Sequence, residues 1–290
     1  MFTITFFDLQ PQMSAFSIVQ DTGCVNSESS RFYPGFDPAK VSKFATALNN
    51  LKCILFDQDG VILDDRHLLD ICVRSLLLLD VDINQEEIII KGKLRAPHSE
   101  IQANIQYLAG LKGKEVTLDE VNAAISISKA EITNQNSGKL PELLCLSRTD
   151  ISSLKTSYRL GLVTSRPRAD VDGILKQFQL EDTFETLITR ESVSIPKPNP
   201  EGLLLAIAEM SKTSAASLIP NQCVYIGDMH TDMKAALAAD IFAIGVIAPM
   251  DRPAKAEAAK VLYESGATLV LDHPAHFKDI RIIVNEALGL

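Results

Sequence analysis

The stretch CILFDQDGVI at residues 53–62 constrains this chain more than any other. Cys53-Ile54-Leu55-Phe56 is an apolar run too short and too β-prone for a helix. It delivers Asp57 and Asp59 onto a turn at Gly60, so both carboxylates sit where a buried strand meets solvent. Sheets of alternating α/β proteins place their active sites at such strand ends. Two carboxylates this close repel as anions, so the pair needs a cation, or one carboxyl must keep its proton. A calcium loop of the EF-hand type is excluded, because the glycine comes too early and Leu68 and Leu69 stand where the closing Glu belongs. An ordinary acidic turn remains an alternative for this segment by itself.

Three later segments bear on that alternative. Leu160-Gly161-Leu162-Val163 reads as a second buried strand and ends at Thr164 and Ser165, whose hydroxyls and following backbone N–H groups can hold an anionic oxygen or cap a helix at Arg168. Lys197 lies between Pro196 and Pro198, whose fixed φ suits an ammonium that must stay aimed, although a surface loop lysine has the same appearance. Val224-Tyr225-Ile226-Gly227 is a further strand with Asp228 at its tip. Asp232 follows four residues on, one helical turn away on the same face, where it can support Asp228 or cap a helix.

In chain order, Asp-x-Asp-Gly, Thr-Ser, Lys-Pro and Gly-Asp-x-x-x-Asp resemble the four signature motifs of the haloacid dehalogenase superfamily, over about residues 52–272. The resemblance implies a magnesium-dependent phosphomonoester hydrolase acting on a small phosphorylated metabolite. Asp57 is then the nucleophile that takes the phosphoryl group, and Asp59 the acid/base that serves first the leaving alcohol and then water. Asp57, the backbone carbonyl of Asp59, and Asp228 would hold Mg2+, whose preference is for hard oxygen ligands. Thr164, Ser165 and Lys197 would bind the phosphoryl oxygens, with Thr164 and Lys197 also catalytic, and Asp232 would orient Lys197 or a metal-bound water.

Relatives that dehalogenate carbon do not keep the second aspartate, and those that cleave phosphonates carry a cap lysine that Arg66-His67-Leu68-Leu69 does not offer. A sugar phosphomutase of the same superfamily is an alternative, since its four motifs look the same. A noncatalytic scaffold would be expected to have lost Asp57, Asp59, Lys197 or Asp228. Gln58 and Asp65 depart from common residues of the family at these places, and Arg166-Pro167 makes the second motif resemble a Thr-Ser-Arg-Pro subgroup.

The same resemblance implies a doubly wound parallel-sheet (Rossmann-like) α/β core with an all-helical cap inserted between the first and second motifs. Helical patterns at 68–79, 101–111 and 118–132, separated by Gly92, Pro97 and a loop at 110–113, agree with a cap at 65–140. The core takes 37–64 and 141–290, where strands near Leu160, Phe184, Val224, Phe242 and Thr268 alternate with helices near Val171, Gly202, Met233, Pro253 and Phe277. Asp37 opens a helix that presents Val41, Phe44, Ala45 and Leu48 on one face. Residues 1–36 read as an extension outside the core.

Composition narrows the partners. The 290 residues are 46% hydrophobic, enough for a sizeable core plus a smaller domain. A net charge of -9 without a basic stripe argues against a nucleic-acid surface. No apolar stretch reaches a membrane-spanning length. Five cysteines without Cys-x-x-Cys spacing point to a reducing compartment, and the absence of Lys or Arg before Arg31 argues against secretory and mitochondrial signals. A cytoplasmic location is the expectation. Oligomeric state is left open. Among cap side chains, Arg66, His67, Arg74, Lys91, Lys93, Arg95 and His98 can meet a polar leaving group, but solvated positions suit them better. His230 is expected on a helix surface.

Overall fold

A computed structural model describes residues 31–84, 88–93, 95–97, 100–213, 217–247 and 252–290. Six parallel strands form one sheet: β1 (Cys53–Phe56), β2 (Arg159–Val163), β3 (Thr186–Ile188), β4 (Cys223–Gly227), β5 (Phe242–Val246) and β6 (Leu269–Leu271). Their order is β3-β2-β1-β4-β5-β6. The chain builds outward from β1 to β3, then returns to the other side of β1 at β4. The tips of β1 and β4 therefore flank the point where the strand order reverses, the crevice in which open α/β sheets bind ligands. Cys53 pairs with Arg159 on one side and Cys223 on the other, which aligns the tips of β1, β2 and β4.

Both faces of the sheet are covered, and this explains why the central strands are continuous apolar runs. Ten α-helices are described: α1 (Pro38–Ala47), α2 (Arg66–Leu78), α3 (Ile101–Leu111), α4 (Leu118–Gln135), α5 (Arg148–Ser157), α6 (Arg168–Gln177), α7 (Glu201–Lys212), α8 (His230–Ala238), α9 (Arg252–Glu264) and α10 (Ile280–Leu288). Leu55 and Tyr225 point to one face, against Leu203 of α7, Met233 of α8 and Ala258 of α9. Ile54 and Phe56 point to the other, against Phe44 of α1, Ile151 of α5, Val171 of α6 and Ile283 of α10. Asp37 starts α1 as its sequence suggests, its carboxylate accepting the Ala39 N–H at 2.9 Å.

Helices α2, α3 and α4 form the inserted cap around their own core of Ile71, Leu76, Ile105, Leu108, Val121 and Ile132. Thr117 and Glu120 close a reciprocal capping box at the start of α4. A π-helical turn at Ile88–Lys93 occupies the region where Gly92 reads as a separator. The two chain crossings between core and cap lie side by side. The Asp64 N–H donates to the Leu143 carbonyl at 2.9 Å, and the Cys145 N–H to that of Ile62 at 2.9 Å.

The N-terminal boundary differs from the expectation. Residues 31–36 pack on the sheet: Phe32 bridges Leu271 in antiparallel sense, and the Tyr33 N–H donates to the Val270 carbonyl at 2.9 Å. The Tyr33 hydroxyl donates to Asp272 at 2.9 Å, while Phe32 and Phe36 join the core beside α10. This contact is long in sequence, so local composition gave no sign of it. Residues 1–30 lie outside the described part. Helix α5 is a second element without a counterpart in the sequence reading.

Candidate active site

Three strand tips supply the site. Asp57 follows β1 directly, and its N–H donates to the Ile226 carbonyl at 2.9 Å, one step beyond the regular pairing. Thr164 follows β2 in the same way, with its N–H on the Ile188 carbonyl at 2.9 Å. Asp228 follows β4. Asp57, Thr164, Lys197, Asp228 and Asp232 are all buried. With Asp59 and Ser165, all but Asp232 of the residues singled out in the sequence line one cavity between the sheet tips and the cap.

Asp57, Asp228 and Asp232 can bring one carboxylate oxygen each to within 4.8 Å of one another. An all-oxygen donor set of this kind suits a hard divalent cation such as magnesium. Asp232, however, is already committed. Its Oδ1 accepts from Lys197 Nζ at 2.7 Å and lies 3.2 Å from the Tyr225 hydroxyl, and its Oδ2 accepts the Met229 N–H at 3.0 Å. Asp57 and Asp228 are the side chains suited to the metal, with Asp232 directed at the lysine. Gly60 closes the space beside them. Its φ is +75°, and a Cβ there would come within 2.0 Å of Asp228 Oδ2, so backbone of the Asp-x-Asp-Gly turn can approach the carboxylate only because residue 60 has no side chain.

Lys197 Nζ lies 3.0 Å from Asp57 Oδ1 and 3.1 Å from the Tyr225 hydroxyl. Burial by itself would favour the neutral amine, but Asp232 and Asp57 outweigh it, and the ammonium is held well above the ordinary lysine range. For Asp57 the balance goes the other way: burial raises its pKa well above the usual carboxylate value, Lys197 opposes this, and Asp232 and Asp228 add to the rise. A divalent cation on Asp57 and Asp228 would reverse that rise.

Asp59 has a different environment. Arg166 grips its carboxylate as a fork, Nε to Oδ2 at 2.8 Å and Nη2 to Oδ1 at 2.7 Å. The other side of the guanidinium donates to Glu142 at 3.1 Å, and His67 Nε2 lies 3.3 Å from Nη2. Burial pushes the Asp59 pKa up, but the Arg166 charge and hydrogen bonds win and hold it below the ordinary value. Glu142 and His67 sit on the two crossings into the cap, so this network joins the acid/base candidate to both.

Sequence reasoning missed Arg166, Glu142 and Tyr225 as members of the site. A tyrosine inside an otherwise apolar strand was the one available signal, since a buried phenol needs a hydrogen-bond partner. Two expected surface residues are corrected. His230 is buried at the start of α8, and His67 is buried with Nδ1 3.1 Å from the Asp64 carbonyl. Arg66 pairs with Asp64, Arg74 with Glu131 and Arg95 with Glu257, so these cap cations are spent on neighbouring carboxylates. Lys93 and His98 have side chains outside the described part.

Known proteins resemble this chain in sequence and in fold. A phosphoglycolate phosphatase from Colwellia psychrerythraea is 33% identical over 95 residues, which cover 32% of this chain and 39% of that protein. The chain thus spans well under two thirds of that relative in the matched stretch. A validoxylamine A 7'-phosphate phosphatase from Streptomyces hygroscopicus is 27% identical over 218 residues, covering 73% of this chain and 92% of the relative. The solved structure of a haloacid dehalogenase-like protein from Agrobacterium tumefaciens superposes with a TM-score of 0.61 at 17% identity, over 79% of this chain and 97% of that one. At that identity the likeness concerns the fold. The profile of haloacid dehalogenase-like hydrolases matches residues 54–246, from β1 through β5 with all three site strands in that span, and the chain belongs to that family.

Proposed function

We propose that the protein is a magnesium-dependent phosphomonoester hydrolase that works through an aspartyl-phosphate on Asp57. The observation that carries this reading is the placement of Asp57 between a buried ammonium, Lys197 at 3.0 Å, and a second carboxylate, Asp228, at the sheet's switch point. An Asp57 oxygen attacks phosphorus, the bond to the ester oxygen breaks, and the departing alcohol takes a proton from Asp59. Water then attacks phosphorus, gives a proton to Asp59, and releases inorganic phosphate and free Asp57. Thr164, the Ser165 N–H and Lys197 bind the phosphoryl oxygens as charge moves onto them. Asp232 and the Tyr225 hydroxyl keep the ammonium in place. Magnesium held by Asp57, Asp228 and the Asp59 carbonyl supplies further charge stabilisation when bound.

The Arg166 fork favours one half of the cycle. An ionised Asp59 is ready to accept a proton from water, whereas the first step asks for a proton that the guanidinium opposes. Esters whose leaving group needs little help should therefore turn over faster.

The substrate is read as a small phosphorylated metabolite, with no nucleic-acid partner, given the net charge of -9. Among the described residues no helix is long and apolar enough to cross a membrane. Cys53, Cys72 and Cys223, buried and outside any disulfide among the described residues, support a reducing, cytoplasmic setting. The test is phosphate release from a panel of small phosphate esters with magnesium, with excess chelator, and with calcium. Magnesium should support turnover, and both the chelator and calcium should stop it, since calcium takes more ligands at longer distances. Full activity in chelator would refute the metal assignment. Identification of the products separates hydrolysis from return of the phosphoryl group to a sugar.

A further inference from the structure

The cavity above Asp57 has two unlike halves. Its floor is the charged cluster already described. Its roof is the inner face of the cap, made by Leu68 and Cys72 of α2, Ile88 of the π-helical turn, and Ile101 and Leu108 of α3, around a space of about 120 Å³. The packing is close: a Cβ on Gly92 would stand 3.0 Å from Leu108 Cδ1. Among the described lining residues the only cation is Lys197, which is committed to Asp57 and Asp232, and Asp65 adds a carboxylate beside Asp57, Asp59 and Asp228. A second anionic group on a substrate would face these carboxylates with no uncommitted cation among the described lining residues, and placing a charge there without a partner is costly. One polar atom interrupts the roof. Asn104 lines the same cavity, and its buried Oδ1 has no hydrogen-bond partner. A buried acceptor left unpaired costs free energy that a donor on the ligand would recover.

We propose that the cap selects the phosphomonoester of an uncharged, mainly aliphatic alcohol that carries one further hydroxyl, set to donate to Asn104. This rests on the phosphatase reading above. The apolar chain lies against Leu68, Ile101 and Leu108, and the phosphate lies on the floor.

The test uses straight-chain alkyl phosphates from ethyl to hexyl with the full-length protein and magnesium, since their leaving groups are nearly equal in acidity. Burial of each added methylene should raise kcat/KM about fourfold until the roof is filled. Phosphoglycolate and glucose 6-phosphate should be poorer substrates than butyl phosphate, and 4-hydroxybutyl phosphate a better one. Asn104→Leu should abolish the advantage of the hydroxyl compound while butyl phosphate keeps or improves its rate, which an unfolded variant could not do. No change with chain length, or a preference for phosphoglycolate, would overturn the proposal. Acetyl phosphate, too small to need the roof, keeps the two readings apart. Its hydrolysis with a flat alkyl series defeats only the cap assignment, whereas inertness toward every phosphate defeats the phosphatase reading. In that second case the binding of alkylphosphonates, followed by calorimetry, decides the roof on its own: affinity that rises with chain length supports it, and equal affinities reject it.

Discussion

The floor and the roof of the cavity are held in place by different physics. On the floor, backbone pairing of β1, β2 and β4 sets where Asp57, Thr164 and Asp228 stand, and buried charges then fix one another: Asp232 holds Lys197, Lys197 faces Asp57, and Arg166 holds Asp59. The roof has no comparable lattice. Its side chains come from two helices and a π-helical turn, and apart from Asn104 the surface they present is shaped mainly by apolar packing. Apolar packing tolerates exchange of one side chain for another of similar volume. A buried ion pair does not, because removal of either partner leaves a charge uncompensated. The chemistry is thus built on the part that resists substitution, and the choice of leaving group on the part that accepts it.

Four measurements sharpen that contrast. Asp57→Asn should lower turnover of every phosphate ester by several powers of ten with the fold intact by circular dichroism, because an amide oxygen does not attack phosphorus at a useful rate. A variant that kept near wild-type activity would end the covalent mechanism.

Asp59→Asn should discriminate between leaving groups. With an alkyl phosphate, loss of acid/base help costs about 10²–10⁴-fold. With an activated aryl phosphate the first step should suffer much less, and phosphorylated Asp57 should accumulate, as quenched samples analysed by mass spectrometry would reveal. Equal loss on both esters together with lost magnesium binding would mean that Asp59 acts as a ligand through its carboxylate.

Arg166→Gln tests the fork itself. Arg166 keeps the Asp59 pKa low against the rise that burial would produce, so its removal should move the alkaline limb of the kcat/KM profile, where Asp59 must still hold its proton for the leaving alcohol, to higher pH and help alkyl more than aryl esters. The linkage has the sign expected of a depressed carboxylate. The pair stabilises the fold above the unfolded pKa of about 3.9, and the contribution disappears as pH falls through the lower folded value. Urea unfolding at pH 7 should show a loss for the variant that shrinks toward zero at the acid end. An unmoved alkaline limb would assign the limb to another group.

The smallest effect on catalysis should come from the N-terminus. Removal of residues 1–30 should leave both kinetics and midpoint of unfolding near wild type. Removal of 1–36 also takes Phe32, Tyr33 and Phe36 from the sheet and should lower the midpoint while the remaining folded protein keeps its kcat. Equal midpoints for the two truncations would show that residues 31–36 add no stability.

Much of the floor was legible in the sequence, because each of its parts is local. A strand end with a turn puts Asp57 at a sheet tip whatever the rest of the chain does, and one helical turn ties Asp232 to the tip of β4. The parts that escaped depend on partners far apart in the chain. The fork joins Asp59 to Arg166, which in turn reaches Glu142 and His67, and no spacing rule connects these positions. Tyr225 becomes part of the lysine's support only once β4 lies beside β1 and Asp232 has turned back over it. The cap's cations, read from the sequence as better suited to solvated positions, show the same dependence on partners. Arg66, Arg74 and Arg95 are abundant charges near a site, yet each has a carboxylate neighbour that sequence distance concealed in the latter two cases.

The short strip at residues 31–36 has a consequence for the protein's behaviour in concentrated solution. A parallel sheet ends in a strand whose outward N–H and C=O groups are free to recruit another chain, and at this end that strand is the wholly apolar Leu269–Leu271. The Phe32 bridge and the Tyr33 bond to Val270 occupy part of that row of groups. Proteolytic nicking that released the strip would bare a hydrophobic template for self-association, so the same few residues that stabilise one molecule also keep it from its neighbours.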